Sequence, residues 1–155
     1  MSTITITRKI KLDPTQEQDI LLQKSCQKYV DACNFIAQWI FDNKTLTMKE
    51  INKVIYHQVR RDYNLPSQMA QSAMRNVISS YRTIHATNKK WSIKPTFRRS
   101  KMDYVWNKDY SINKTTKDFS INTIDGRIKI STCWTGNEKF SSQEKSVSYT
   151  HLTLP

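Results

Sequence analysis

The chain opens with apolar and polar residues in alternation. Ile4, Ile6, Ile10 and Leu12 point one way and Thr3, Thr5, Thr7, Lys9 and Lys11 the other, with Arg8 interrupting the apolar row. Period two with β-branched residues predicts a strand with one buried face. Its outer face ends in cations. The period then lengthens: Leu22, Cys26, Tyr29, Cys33, Ile36 and Ile40 recur at intervals of four and three, the stripe of a long amphipathic helix running to about Asp42. Ahead of it, Asp13 is placed to cap, Pro14 to take the first helical position and Gln16 to close a capping box. Glu17 and Asp19 favour the positive helix end.

A second capping box, Thr47 to Glu50, introduces a shorter helix with Ile51, Val54, Ile55 and Val59 inward, broken at Tyr63–Pro66. A third helix is predicted from about Pro66 to Thr87, with Ala70, Ala73, Val77, Tyr81 and Ile84 facing in. Its small residues permit close packing. From Trp91 the texture changes to aromatic and β-branched clusters, and Asp125-Gly126 between SINTI and RIKIS is a hairpin signal. A lone N-terminal strand is a poor structure by itself, so it is expected to pair with the late strands, leaving the three helices as an insertion. The predicted class is α+β.

Charge changes the picture. Lys and Arg number 25 against 13 acids, a formal +12 over 155 residues. That excess repels itself and is commonly balanced by a polyanion, nucleic acid first and an anionic membrane second. Two glycines, Gly126 and Gly136, exclude a phosphate-binding P-loop or a dinucleotide fingerprint. Cys26, Cys33 and Cys133 form no CxxC pair, which argues against a zinc knuckle or a disulfide framework, and the first two read as small core residues. No secretory leader and no membrane-length apolar run is present, so a cytoplasmic, nucleoid-associated setting and no membrane partner are expected.

The sharpest feature is an absence. No acid occurs between Asp62 and Asp103, a stretch that holds Arg75, Arg82, Lys89, Lys90, Lys94, Arg98, Arg99 and Lys101. Gln68, Arg75, Arg82 and Lys89 are seven apart and share one helix face if the helix reaches that far. Solvated faces usually mix signs. A one-signed face followed by KPTFRRSK, where Phe97 can stack beside cations, favours a phosphate backbone. With Arg8, Lys9 and Lys11 from the first strand, these residues form the expected nucleic-acid-binding set. Catalysis finds little support. His57 and His85 lack ligand-spaced partners, Asp103 and Asp109 sit near Lys101 and Lys108 as if to ion-pair, and no converging carboxylates can be named to hold metal ions.

A basic first strand, LDPTQEQ, a long helix with Cys33-Asn34-Phe35, LPSQMAQSAMRNVISSYR, KPTFRRSK and the DFSINTIDGRIKIS hairpin follow one another in this order. Over about Thr3 to Ser131 this resembles the N-terminal part of the TnpB (OrfB-type) transposon-encoded proteins, RNA-guided DNA endonucleases related to type V CRISPR effectors. The resemblance rests on order and spacing. It implies a discontinuous wedge domain over 1–12 and 92–145, a partial oligonucleotide-binding-type β-barrel, with a helical recognition domain over 13–91 that starts like a helix-turn-helix. It implies guide RNA and target DNA as partners. It also implies a nuclease domain with acidic metal ligands and a zinc ribbon, all downstream of Lys145, so that this fragment holds no catalytic residue, no metal ligand and no cofactor of its own.

The end of the chain differs from the rest. Val147 to Pro155 carries no Lys, Arg, Asp or Glu, and it can be encoded as GTC TCT TAT ACA CAT CTG ACG CTG CCG. That looks like a transposase end joined to a sequencing-library adapter, so 147–155 is expected to be translated adapter and dispensable. Two rival readings remain: a stand-alone helix-turn-helix DNA-binding regulator, and a structural or protein-interaction module whose charge is incidental.

Overall fold

Thr15, not Asp13, starts the first helix. Its hydroxyl accepts the Gln18 N–H at 3.3 Å, and the Gln18 side-chain oxygen accepts the Thr15 N–H at 3.1 Å, so the capping box is displaced by two residues. Asp13 is otherwise engaged: Leu12–Asp13 (β1) pairs antiparallel with Thr132 and Ser131. The computed structural model describes residues 10–87, 89–98, 101–113 and 115–133, and the backbone of 150–153. The alternation at Thr3–Lys9 lies outside the described residues, but β1 does bring the N-terminal segment to a late strand.

Helix α1 (Gln16–Asn43) ends on Lys44 in the left-handed region, φ 54°. Helix α2 (Met48–Tyr63) starts at Thr47 without a side-chain cap bond, because Glu50 instead accepts from the Thr45 hydroxyl at 2.5 Å. It ends on Asn64 at φ 53°, a conformation that Asn tolerates better than most residues. Helix α3 covers Ser67–Ala86. The inward stripe of α1 is 1% exposed or less at each of its six positions, and Ile51, Ile55 and Val59 of α2 match it. Val54 does not: it is 60% exposed. Ala32 and Ala37 of α1 and Ala70 and Ala73 of α3 are fully buried, and the Tyr81 hydroxyl of α3 donates to the Ala37 carbonyl at 2.8 Å. Small side chains thus let the two helices approach closely.

Strands β3 (Tyr110–Ile112), β4 (Phe119–Thr123) and β5 (Gly126–Thr132) join β1 in an antiparallel sheet of order β1-β5-β4-β3. Among the described residues this sheet is open, not closed into a barrel. The β4–β5 turn is centred on Ile124-Asp125, one residue earlier than expected, and Gly126 opens β5 at φ 106°, where a side chain would be strained. Three hydrogen bonds dock this sheet on the helices. Gln18 donates to the Lys129 carbonyl (2.7 Å), Asn64 donates to the Ile124 carbonyl (3.1 Å), and the Ile124 N–H donates to the buried Ser25 hydroxyl (3.2 Å). Helices and sheet share one apolar cluster that includes Ile36, Val77, Tyr104, Ile121 and Ile130.

Strand β2 (Lys101–Tyr104) stands apart. Met102 and Tyr104 are buried, β2 touches α1 and α3, and its ladder partner is Thr150–Thr153 (β6). Four residues of the uncharged tail therefore lie along a strand edge. Backbone ladders accept extended segments with little regard to sequence, and β2 does so although it carries Lys101 and Asp103.

Candidate nucleic-acid interface

The segment between α3 and β2 is extended and laid along α1 in the opposite direction. Lys94 donates to the Gln38 side-chain oxygen. Asn34 then grips Phe97 at both ends of its backbone, accepting its N–H and donating to its carbonyl, each at 2.9 Å. Asp103 lies close to Tyr29 and Cys33, and Tyr104 close to Cys26. As the chain advances from Lys94 to Tyr104, its partners on α1 recede from Gln38 to Cys26. An amide placed mid-helix is otherwise a weak helix former; here Asn34 acts as a two-point clamp for a passing strand.

The clamp decides which side chains of this strap face solvent. Phe97 turns inward and packs half-buried against the core, while Lys94, Arg98 and Lys101 are exposed. The ring is thus a packing residue rather than the open stacking platform expected of it. Lys89 and Lys90 are exposed in the turn before the strap. They lie beyond the last turn of α3, so Lys89 does not extend a helical row. Arg82 is exposed on α3 and Gln68 is half-buried. Lys11 is exposed beside β1, and Arg8, Lys9 and Arg99 lie outside the described residues.

Arg75 has a different setting. It is half-buried, with its Nε enclosed and without a hydrogen-bond partner, and a long 3.4 Å contact from its guanidinium to the Ser72 hydroxyl. It acts electrostatically on Asp109, which is fully buried. Asp109 is therefore not the solvent-side partner of Lys108 that its neighbour suggested. Its carboxylate accepts the Val105 N–H at 3.1 Å and holds the β2–β3 turn. Burial raises its pKa above the usual 3.8, while the Val105 and Asn122 hydrogen bonds and the Arg75 and Arg127 charges pull it down.

Trp91, in the left-handed region at φ 57°, anchors the start of the strap. Its ring meets His85 edge-on at 4.6 Å and Tyr81 at 5.5 Å between centroids, with the Lys44 ammonium 5.2 Å from it. His85 is accordingly a packing residue. Cys26 and Cys33 are buried free thiols, and burial pushes Cys26 up to about 12, leaving it protonated and unreactive. Among the described residues no group of three or more His, Cys, Asp or Glu side chains could hold a metal ion.

No protein-family model matches the chain, and no curated protein matches its sequence. The residues themselves carry the functional reading. Among the described residues they set six exposed cations, Arg82, Lys89, Lys90, Lys94, Arg98 and Lys101, along α3 and a strap fixed by Asn34, Gln38 and Trp91. Such a run of cations can attract a polyanion. Sequence reasoning missed Asn34 and Gln38 as the groups that position it. Their signal was faint: polar amides four apart on the flank of an apolar stripe.

Proposed function

We propose that this chain binds nucleic acid through the strap and the end of α3, as the N-terminal region of a TnpB-like RNA-guided DNA endonuclease. In this reading the run of cations grips the guide RNA scaffold and the guide–target duplex by charge and shape, while base pairing reads the target. The open sheet, β1-β5-β4-β3, is part of the wedge-type barrel, and α1–α3 are the inserted recognition-type helices. One observation carries the proposal: the strap that bears Lys94, Arg98 and Lys101 is fixed to α1 by neutral amides, Gln38 at the Lys94 side chain and Asn34 at the Phe97 backbone, in a stretch of sequence free of acids. An incidental solvated face would mix its signs. No helix among the described residues is long and apolar enough to cross a membrane.

Among the described residues no group of side chains could hold the family's divalent ions or structural zinc, and the reading assigns no metal ligand to them. The chain is therefore expected to retard nucleic acid without cutting it. The test is to incubate the 155-residue chain with magnesium, a structured RNA and duplex DNA, and to compare affinities and products. Preference for the structured RNA with no cleavage supports the proposal. A sequence-dependent preference for duplex DNA would support the helix-turn-helix regulator instead. Negligible binding even at low salt would support an interaction module.

A further inference from the structure

We propose that α2 presents a second phosphate-tracking face, one that fits the backbone of a nucleic-acid duplex. It rests on the nucleic-acid reading above and adds a surface that the acid-free stretch does not include.

The face follows from the burial of the opposite side. Ile51, Ile55 and Val59 are 1% exposed or less, so the helix has one fixed inward stripe. At roughly 100° per residue, Lys49, Lys53, His57 and Arg60 fall within an arc of about 80°, centred away from that stripe. All four are exposed. Lys49 and Arg60 are about 16 Å apart along the axis at 1.5 Å per residue. Arg61 flanks the row.

Neither acid of α2 lies within that arc: Asp62 is tied to Arg61 at 2.9 Å, and Glu50, at the edge of the row in the first turn, accepts from the Thr45 hydroxyl. Arg60 is held in position from both sides. Its Nε reaches the Leu65 carbonyl at 3.5 Å and its guanidinium lies 5.7 Å from the centre of the Tyr56 ring. Asn64, Pro66 and Asn122 line a cleft of about 300 Å³ beside it. A positioned guanidinium loses less freedom when it meets a phosphate.

The pattern selects the partner. Tyr56 is half-buried, with its hydroxyl donating to Ser67 at 2.7 Å and the Arg60 guanidinium over its ring, so its face is not an open platform for an unpaired base. Single-strand binding usually depends on such stacking. A membrane surface would need an apolar face for insertion, and the apolar face of α2 is in the core. Regularly spaced cations without base contacts suit a duplex, which offers one negative charge per about 1.7 Å of its axis.

The test compares three proteins at several salt concentrations with a duplex of fixed length: the unaltered chain, K49Q/K53Q, and the strap variant K94A/R98A/K101A. Far-ultraviolet circular dichroism and thermal unfolding check that folding is retained. Each lost phosphate contact is expected to flatten the plot of log affinity against log salt by about 0.9 for B-form DNA. Losses in the α2 and strap variants that add, with an unfolded single strand less affected by the α2 changes, are the expected result. An unchanged slope in K49Q/K53Q beside a reduced slope in the strap variant overturns the α2 face and leaves the nucleic-acid reading standing. Absence of salt-dependent binding in the unaltered chain overturns both. Loss of binding to anionic phosphatidylserine vesicles, with duplex affinity intact, assigns the face to a membrane and also overturns the inference.

Discussion

Helices α1 and α3 line the same core yet turn different chemistries outward. On α1 three of the four acids accept a hydrogen bond from a glutamine of the same helix: Gln23 donates to Asp19, Gln27 to Asp31 and Gln38 to Asp42, each at 2.8 Å and four residues apart. Lys24 and Lys28 complete a mixed surface. On α3 there is no acid at all, and two hydroxyls turn back on their own helix, Ser80 to the Asn76 carbonyl and Thr83 to that of Ser79. The strap that follows adds cations without carboxylates. One face mixes both signs; the other leaves positive charge for a second molecule to balance. Burial is equally good on both, so charge pattern rather than packing separates a scaffold surface from a candidate binding surface.

The largest expected effect comes from loosening the strap without removing any charge. Asn34→Ala leaves the Phe97 N–H and carbonyl without their partners, which is expected to cost about 1–3 kcal/mol of stability in urea unfolding. RNA affinity should fall with it, because the cations lose their fixed spacing. If N34A binds RNA as tightly as the unaltered chain, strap geometry has no part in recognition.

The second effect separates Arg75 from the exposed cations. Asp109 has a raised folded-state pKa, so its neutral form is the one the fold favours. The penalty is absent below the ordinary value of 3.8 and grows as pH rises through the raised one. Stability relative to Asp109→Asn should therefore fall with rising pH across that window and level off above it. Parallel stability curves for the two proteins would mean that the carboxyl titrates as it does in the unfolded chain.

The smallest effect is expected at the tail. Deleting Val147 to Pro155 removes β6 from the edge of β2. If the pairing only reflects a receptive strand edge, stability should change by about 0.5 kcal/mol or less, as for ordinary surface changes. Loss of cooperative unfolding would show that β6 is integral and would end the adapter reading.

Much of this architecture could be read before the structure. Periods of 3.6 and 2 located the three helices and the β4–β5 hairpin, because burial on one face leaves that signature whatever the partner. Errors came where a residue had two possible uses. Asp13 reads as a cap but pairs in a strand, and Glu50 reads as a capping-box residue but binds Thr45. Phe97 and Arg75 carry the chemistry of binding residues, yet a clamp on α1 and a carboxylate in the β2–β3 turn draw them inward. Those influences come from residues 34 or more positions away, beyond the reach of local pattern. The acid-free stretch was visible in the sequence; which of its members face solvent was not.

The central claim is that polyanion binding belongs to particular faces, the strap and the α3 end first and α2 beside them, and not to the basic charge of the chain as a whole. Salt dependence tests it most directly. Log affinity for a structured RNA should be measured against log salt for the unaltered chain, for R82A/R98A/K101A and for K24A/K28A on α1. The account predicts a slope flattened by roughly 0.7–0.9 per lost phosphate contact in the first variant and no change in the second. Equal slopes in all three, or a larger loss from the α1 lysines, would contradict it.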